Sequence, residues 1–298
     1  MLKKWVVNNQ NFSFANQLKE TLNVPLIFAQ LLEQRGVTSY SEAKQFLRPS
    51  SNDFHSPFLM LNMSEAVDRI LLAKNKNQRI MVYGDYDVDG ASATALLANF
   101  FKSINVPYEI YIPDRKKEGY GPTAESFKKL INNGTKLIFT VDCGTLSFDA
   151  IDYAFNNNID VIVLDHHQSE INLPKAHSIV NPNRLDDKSD LKYLCAAGVS
   201  FMFLICLNKE LRSTDWFSKS KKIEPNLLEY LDLVALGTIC DVVPLIGLNR
   251  AIVSQGLKIL KLKKNLGLKT LFDICNIQSK PNVYHIGYQL GPRINAGG

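Results

Sequence analysis

At 298 residues, 46% hydrophobic and 21% charged, the chain has enough apolar material for one large α/β domain or two ordinary ones. A formal net charge of +5 permits a polyanionic partner without demanding one, and no apolar run approaches the ~20 residues of a membrane span, so the chain reads as a soluble cytoplasmic protein with no membrane partner. Five cysteines, at positions 143, 195, 206, 240 and 275, form no C-x-x-C pair, which leaves no sign of a disulfide framework or a thiolate zinc site.

Residues 1–62 read as a helical N-terminal extension packed on the core. The spacing of Phe14, Leu18 and Leu22, and then of Leu26, Phe28, Leu31 and Leu32 after Pro25, predicts two helices; Ser41 and Glu42 open a third that closes before Pro49. Ser64 is expected to cap a helix running through Ala73. From Arg79 onward, short apolar runs near 80–84, 108–112, 136–141, 159–164 and 178–181 alternate with helical stretches near 91–103, 123–133 and 147–157. That alternation predicts an α/β fold with a mostly parallel five-stranded sheet flanked by helices. From about residue 195 the chain turns helical again, over 196–211, 227–239, 250–263 and a terminal segment, with the lysine-rich stretch 219–222 as an exposed loop.

Reactive groups in such sheets collect at the carboxyl ends of the strands. After the first apolar run come Asp85, Asp87 and Asp89; if that run stays extended, the three carboxylates share one face and need a counter-charge. Converging hard oxygen ligands suit Mg²⁺ or Mn²⁺, whereas an acidic turn is the alternative. An EF-hand calcium loop is excluded, because the position that needs Glu is Leu96. The third run delivers Asp142 and the fourth Asp165, His166 and His167. Single histidines are usually structural, and His55, His177 and His285 are read that way; His166 and His167 have acidic neighbours of the kind that orient metal-bound imidazoles. Asp241 lies among Cys240, Val242 and Val243, where a carboxylate is costly to bury unless paired or used as a cap. Arg115, in a charged stretch, is either solvated or a phosphate grip, and Arg293 has the same two readings. Tyr120, between two glycines, suits stacking on a base.

Together these residues resemble a known family. Gly84-Asp85-Tyr86-Asp87-Val88-Asp89-Gly90, Val141-Asp142-Cys143-Gly144, Asp165-His166-His167 and Gly237-Thr238-Ile239-Cys240-Asp241-Val242-Val243-Pro244 look like the four ordered motifs of the DHH phosphoesterase superfamily. Within it, Tyr111-Ile112-Pro113-Asp114-Arg115 with Glu118-Gly119-Tyr120-Gly121, Asn181-Pro182, Ala197-Gly198-Val199 and Gly291-Pro292-Arg293-Ile294-Asn295-Ala296-Gly297 resemble the RecJ family of single-strand-specific exonucleases. The resemblance implies a DHH catalytic domain over 63–285 and, at 286–298, the start of a linker to a further domain. It implies two metal ions, Mn²⁺ or Mg²⁺. Asp89, Asp142, His166 and Asp241 would hold one; Asp87 and a bridging Asp142 would hold the other, supported by Asp85. His167 would contact phosphate or orient the site, and Arg115 would lie near the 5′ phosphate.

The activity so implied is 5′ to 3′ hydrolysis of single-stranded DNA in recombination and repair, with a single-strand-binding protein and a RecQ-like helicase as candidate protein partners. A phosphodiesterase for short oligonucleotides or cyclic dinucleotides shares the metal motifs but not the Arg293 motif or the helical extension. A non-catalytic replication scaffold is disfavoured by the intact ligand positions. Because Gly298 falls within the linker motif, the sequence is expected to be a catalytic fragment. The stretch from Asp186 to Asp190 departs from the family pattern.

Overall fold

The structure, a computed structural model, describes residues 13–50 and 56–297. His55, the first twelve residues of the extension and Gly298 lie outside the described residues. The chain divides into two compact units, 1–54 and 55–298. In the first, α1 (Ser13–Leu22), α2 (Leu26–Gln34) and α3 (Tyr40–Leu47) pack around Ala15, Leu18, Ala29, Leu32 and Ala43, with Phe14 and Leu22 partly buried. Of the spacing read in α2 only Leu32 turns inward, while Leu26, Phe28 and Leu31 are exposed. Ser39 caps α3 by accepting from the Glu42 amide at 3.2 Å, and Glu42 accepts in return from Thr38 N at 2.8 Å.

The second unit opens with a short 3₁₀ turn (Pro57–Leu59) and α4 (Met63–Asn75). Here Ser64 is not the cap expected of it: Asn62 adopts the left-handed conformation (φ 57°) just before the helix, and Ser64 falls inside the first turn. Next come β1 (Ile80–Tyr83), α5 (Val88–Ser103), β2 (Tyr108–Tyr111), α6 (Ala124–Asn132), β3 (Leu137–Val141), α7 (Phe148–Asn156), β4 (Asp160–Leu164) and β5 (Ser178–Val180). The strands lie in the order β2-β1-β3-β4-β5, all parallel, with Ile80 opposite both Tyr108 and Leu137. Every residue of β1 and β3 is buried, which explains their unbroken apolar runs. On one face Met81, Tyr83, Ile138 and Val163 pack with Phe127 of α6 and Ile151 of α7. On the other, Phe139 meets Phe101 of α5, ring centroids 5.6 Å apart, and Phe203 at 5.5 Å.

Phe203 belongs to α8 (Ala196–Ser213), the first of the C-terminal helices, followed by α9 (Trp216–Ser220), α10 (Leu231–Cys240), α11 (Gly247–Leu260), α12 (Leu266–Ile274), a π-helical turn (His285–Leu290) and α13 (Gly291–Asn295). The lysine-rich stretch is therefore partly helical rather than all loop: Lys219 and Ser220 end α9, and Lys221 turns the chain at φ 54°. Arg184, the buried Asp187 and their neighbours explain the aberrant acidic stretch as structural. Asp187 accepts from Leu61 N at 2.9 Å and Ser189 N at 2.8 Å, and Arg184 pairs with Asp186 at 2.7 Å. No helix among the described residues is long and apolar enough to cross a membrane.

Candidate metal centre

The strand order reverses direction between β1 and β3, and ligands of open parallel sheets gather at such a crevice. Asp85 follows β1, Asp142 follows β3, and Asp165, His166 and His167 follow β4. The expected extended strand carrying all three motif carboxylates is not what forms. β1 stops at Tyr83, Asp87 becomes the cap of α5 by accepting from Gly90 N at 2.8 Å, and Asp89 sits in the first helical turn. An Asp just before a helix-favouring run satisfies orphan amides better as a cap than as a strand residue, so α5 starts at Val88 rather than 91. As a result the three carboxylates separate. Asp85 and Asp87 converge with Asp142, whereas Asp89 converges with His166 and Asp241, and within each set the candidate donor atoms lie within 4.8 Å of one another.

His166 Nε2 is 3.3 Å from Asp142 Oδ1, 3.7 Å from Asp241 Oδ2 and 3.8 Å from Asp89 Oδ2. Such spacings suit donors arranged around one divalent ion at bonds of roughly 2.1 Å. Oδ1 of Asp85 and Oδ1 of Asp142 are buried with no hydrogen-bond partner, an arrangement that costs free energy unless a cation completes it. A third set, Asp142 with His166 and His167, overlaps the other two, so that Asp142 and His166 link them. The residues therefore fit two hard or borderline ions.

The electrostatics agree. Burial pushes Asp85 up to about 6 and Asp241 up to about 7, with the charges of neighbouring carboxylates adding to it. Asp89 is raised, chiefly by burial, and Asp142 rises well above the carboxylate range through burial and the charges of Asp89 and Asp87. The two histidines are driven apart. Burial lowers His166 toward the neutral imidazole that a ligand must be, while the hydrogen bond from His167 Nδ1 to Asp165 at 2.7 Å raises His167. Asp165 itself is buried, which works against its charge. Even so it is held well below the usual range, because it accepts from His167 and from Thr145 N (3.1 Å) and Oγ1 (2.6 Å), as well as from His166 N (2.7 Å).

Several residues of the resemblance that had no stated role take one here. Asp89 accepts from Ala196 N at 2.6 Å and Ala197 N at 3.0 Å, so the amino terminus of α8 supplies both donors and a favourable dipole. Gly237 of α10 lets the two helices close over it: a Cβ there would stand 2.5 Å from Asp89 Oδ1 and 2.8 Å from Ala197 Cβ. Asn181 donates to Thr145 Oγ1 (2.9 Å) and to the His167 carbonyl (2.8 Å), and Asn295 accepts from Val88 N at 3.0 Å. Apart from Ala196 and Thr145, each lies within one of the family motifs, which is the one sequence signal that points to it.

Tyr120 is brought to the cluster, but by its hydroxyl, which donates to the Asp142 carbonyl at 3.0 Å and lies 3.4 Å from His167 Nε2; the residue remains exposed. Arg115 stands over the Tyr86 ring at 5.2 Å, on a loop braced by Glu118, which accepts from Asp114 N at 2.9 Å and from the Tyr111 hydroxyl. No carboxylate pairs with Arg115 among the described residues. Arg293 donates to the Gln289 carbonyl at 2.7 Å on the exposed side of α13. His177 lies 3.8 Å from Asp160, and both it and His285 stand outside the clustered donor sets.

A parallel α/β sheet that gathers carboxylates and an imidazole at its switch point defines an α/β protein with a candidate metal centre. The chain belongs to the DHH family: the sequence model of the DHH family, N-terminal domain, matches residues 79–238. It is 36% identical over 296 residues to the single-stranded-DNA-specific exonuclease RecJ of Bacillus subtilis (strain 168), covering 99% of this chain and 36% of that protein. Among solved structures, RecJ of Thermus thermophilus in complex with Mn²⁺ matches with a TM-score of 0.76 at 27% identity, over 97% of this chain and 39% of the other. An exonuclease RecJ bound to manganese matches with a TM-score of 0.68 at 32% identity, over 80% of this chain and 57% of the other. The chain thus spans less than half the length of the curated relatives it matches.

Proposed function

We propose that the chain is the catalytic portion of a metal-dependent 5′ to 3′ exonuclease that hydrolyses phosphodiester bonds of single-stranded DNA in recombination and repair. One observation carries this reading: overlapping sets of buried and half-buried donors, linked through Asp142 and His166, gathered at the carboxyl end of the parallel sheet. Asp89, Asp142, His166 and Asp241 would hold one ion, and Asp87 with Asp142, supported by Asp85, the other. Mixed carboxylate and imidazole ligation suits Mn²⁺ as well as Mg²⁺, and RecJ of Thermus thermophilus has been solved in complex with each of them. Lewis-acid activation of a water and of the phosphodiester is the chemistry two such ions supply when bound.

The chain's own residues do the rest. Asp142 keeps the donor sets in register, and Asp165, bonded to Nδ1 of His167 and raising that imidazole's affinity for a proton, holds its Nε2 toward Tyr120, where it would meet a phosphate oxygen. Arg115, poised on Tyr86 with no carboxylate ion pair among the described residues, grips a terminal phosphate; Arg293 meets the strand further along, and the exposed ring of Tyr120 offers a face to a base. In this reading 63–285 forms the catalytic domain, 1–62 the extension and 286–298 the start of a linker. A cytoplasmic setting rests on the sequence reading, and a single-strand-binding protein and a RecQ-like helicase as partners follow from the resemblance alone.

The test is end-labelled single-stranded DNA, an RNA dinucleotide and a cyclic dinucleotide incubated with Mn²⁺ at low salt, beside an Asp142→Ala variant. Stepwise shortening of the DNA from its 5′ end, lost by at least about 10³-fold in the variant, is expected if the shared ligand is essential. Intact DNA with cleaved dinucleotides, or a variant as active as the parent, overturns the proposal.

A further inference from the structure

Beyond the metal ligands, we infer that Tyr284 and Tyr288 form a base-stacking platform for single-stranded nucleic acid beside the metal centre. These residues are 59% and 73% exposed, and their rings stack on one another, centroids 5.2 Å apart at an interplanar angle of 28°. One exposed aromatic is ordinary; two stacked rings that both stay in solvent present π faces that any base can extend. The π-helical turn from His285 to Leu290 follows Tyr284 directly and carries Tyr288, and turns of this kind recur at functional sites.

The position of this segment ties it to the chemistry. Ile286 O accepts from Cys240 Sγ at 3.7 Å, and Gly291 lies so close to Cys240 that a Cβ would stand 2.6 Å from the sulfur; Cys240 directly precedes Asp241. At the other end Asn295 accepts from Val88 N, between Asp87 and Asp89. The segment is therefore fastened to one carboxylate neighbour from each of two donor sets.

Its charge favours a polyanion over a protein partner. From Ile274 to Gly298 there is no Asp or Glu, while Lys280 and Arg293 are cationic. The Arg293 guanidinium, from α13, donates to the carbonyl of Gln289, the residue after Tyr288, and so places a cation at the end of the turn that carries the ring.

This inference rests on the proposed nuclease reading, and the experiment separates the two. The full chain is titrated, in EDTA, into fluorescein-labelled oligo(dT) 16-mer and followed by anisotropy across a salt series. Variants are Tyr284→Ala/Tyr288→Ala, Tyr284→Phe/Tyr288→Phe and Arg293→Ala. The double alanine variant is expected to bind about tenfold or more weakly with an unchanged salt slope, since no phosphate contact is lost. The double phenylalanine variant should bind like the parent, and Arg293→Ala should lower the slope by about one. Melting and Mn²⁺ titrations should match the parent for the tyrosine variants, as a merely structural role would not allow. If the parent binds and cleaves DNA but the double alanine variant binds within twofold of it, or the phenylalanine variant loses as much as the alanine one, the platform is overturned while the nuclease reading stands. A parent that neither binds nor cleaves single strands overturns both.

Discussion

Asp142 adopts the left-handed conformation, φ 61°, which costs a residue other than glycine about 1–2 kcal/mol. The strain is offset locally. Its amide donates to Leu164 O at 3.1 Å, its carbonyl accepts from Tyr120, and Gly144 at φ 113° leaves room for the Thr140 hydroxyl beneath it. The turn swings a carboxylate from a buried strand toward Asp85 and Asp87 on one side and His166 on the other, and Asp165 braces the facing turn. Oδ2 of Asp165 takes the Thr145 donors, and Oδ1 takes the two histidine amides and His167 Nδ1. Asp165→Asn must turn an amide NH₂ toward one of these groups of donors. Loss of about 2–4 kcal/mol of stability and a 10- to 100-fold weaker Mn²⁺ affinity are expected, read by chemical denaturation and calorimetric titration. NMR titration should also show the His167 imidazole falling toward the ordinary histidine range. A variant with parental Mn²⁺ affinity would show that this bracing does not reach the ligands.

At the scale of elements, α8 and α10 close over α5, and Asp89 lies where all three meet. Gly237→Ala tests that closure through its sign. In an ordinary helix interior the change stabilises by about 1 kcal/mol, but here the new methyl meets Asp89 and Ala197 below 3 Å, and overpacking of this kind costs about 1–3 kcal/mol. A lower melting temperature and weaker Mn²⁺ binding are expected; a more stable variant rules the close approach out. The central strands are legible from sequence because each is a short apolar run buried on both faces, and Asp142, His166 and Asp241 because chemically odd residues stand at the ends of such runs or amid apolar neighbours. What periodicity cannot show is the contact of Asp89 with amides more than a hundred residues away, or of Asn295 with Val88. Such contacts depend on how helices cross, and no local pattern encodes that. Asp85, Asp87 and Asp89 do not share one strand face for a related reason: alternation in sequence matches a strand, yet the capping preference of Asp87 ends the extended segment first.

For the whole molecule, a net charge of +5 coexists with a buried core of carboxylates that lacks enough positive charge of its own. Without metal, that imbalance should surface as pH-dependent stability. Asp85 at about 6 and Asp241 at about 7 sit above the ordinary unfolded value near 4, so the folded state binds protons that the unfolded chain has released. Their protonation stabilises the fold at low pH, and this contribution disappears as pH climbs through 6 and 7. His167, raised by Asp165, adds in the same direction, because its stabilisation is lost once pH passes its folded value. His166, lowered by burial, opposes them below the ordinary histidine value, and Asp165, depressed, matters only in acid. Each tenfold change in proton affinity between the folded and unfolded chain is worth about 1.4 kcal/mol, so the two raised carboxylates outweigh the single opposing imidazole. The EDTA-treated protein is therefore expected to melt several degrees lower at pH 8 than at pH 5.5. Mn²⁺ should reverse the trend, since each ligand must lose its proton to bind and an ion at a hundred times its Kd adds about 2.7 kcal/mol. The stabilisation by Mn²⁺ should accordingly be small at pH 5.5 and large at pH 8, measured by thermal melts at fixed ionic strength. A metal-free melting temperature that stays level or rises between these two values would mean that the carboxylates are not held as a proton-binding, cation-deficient cluster.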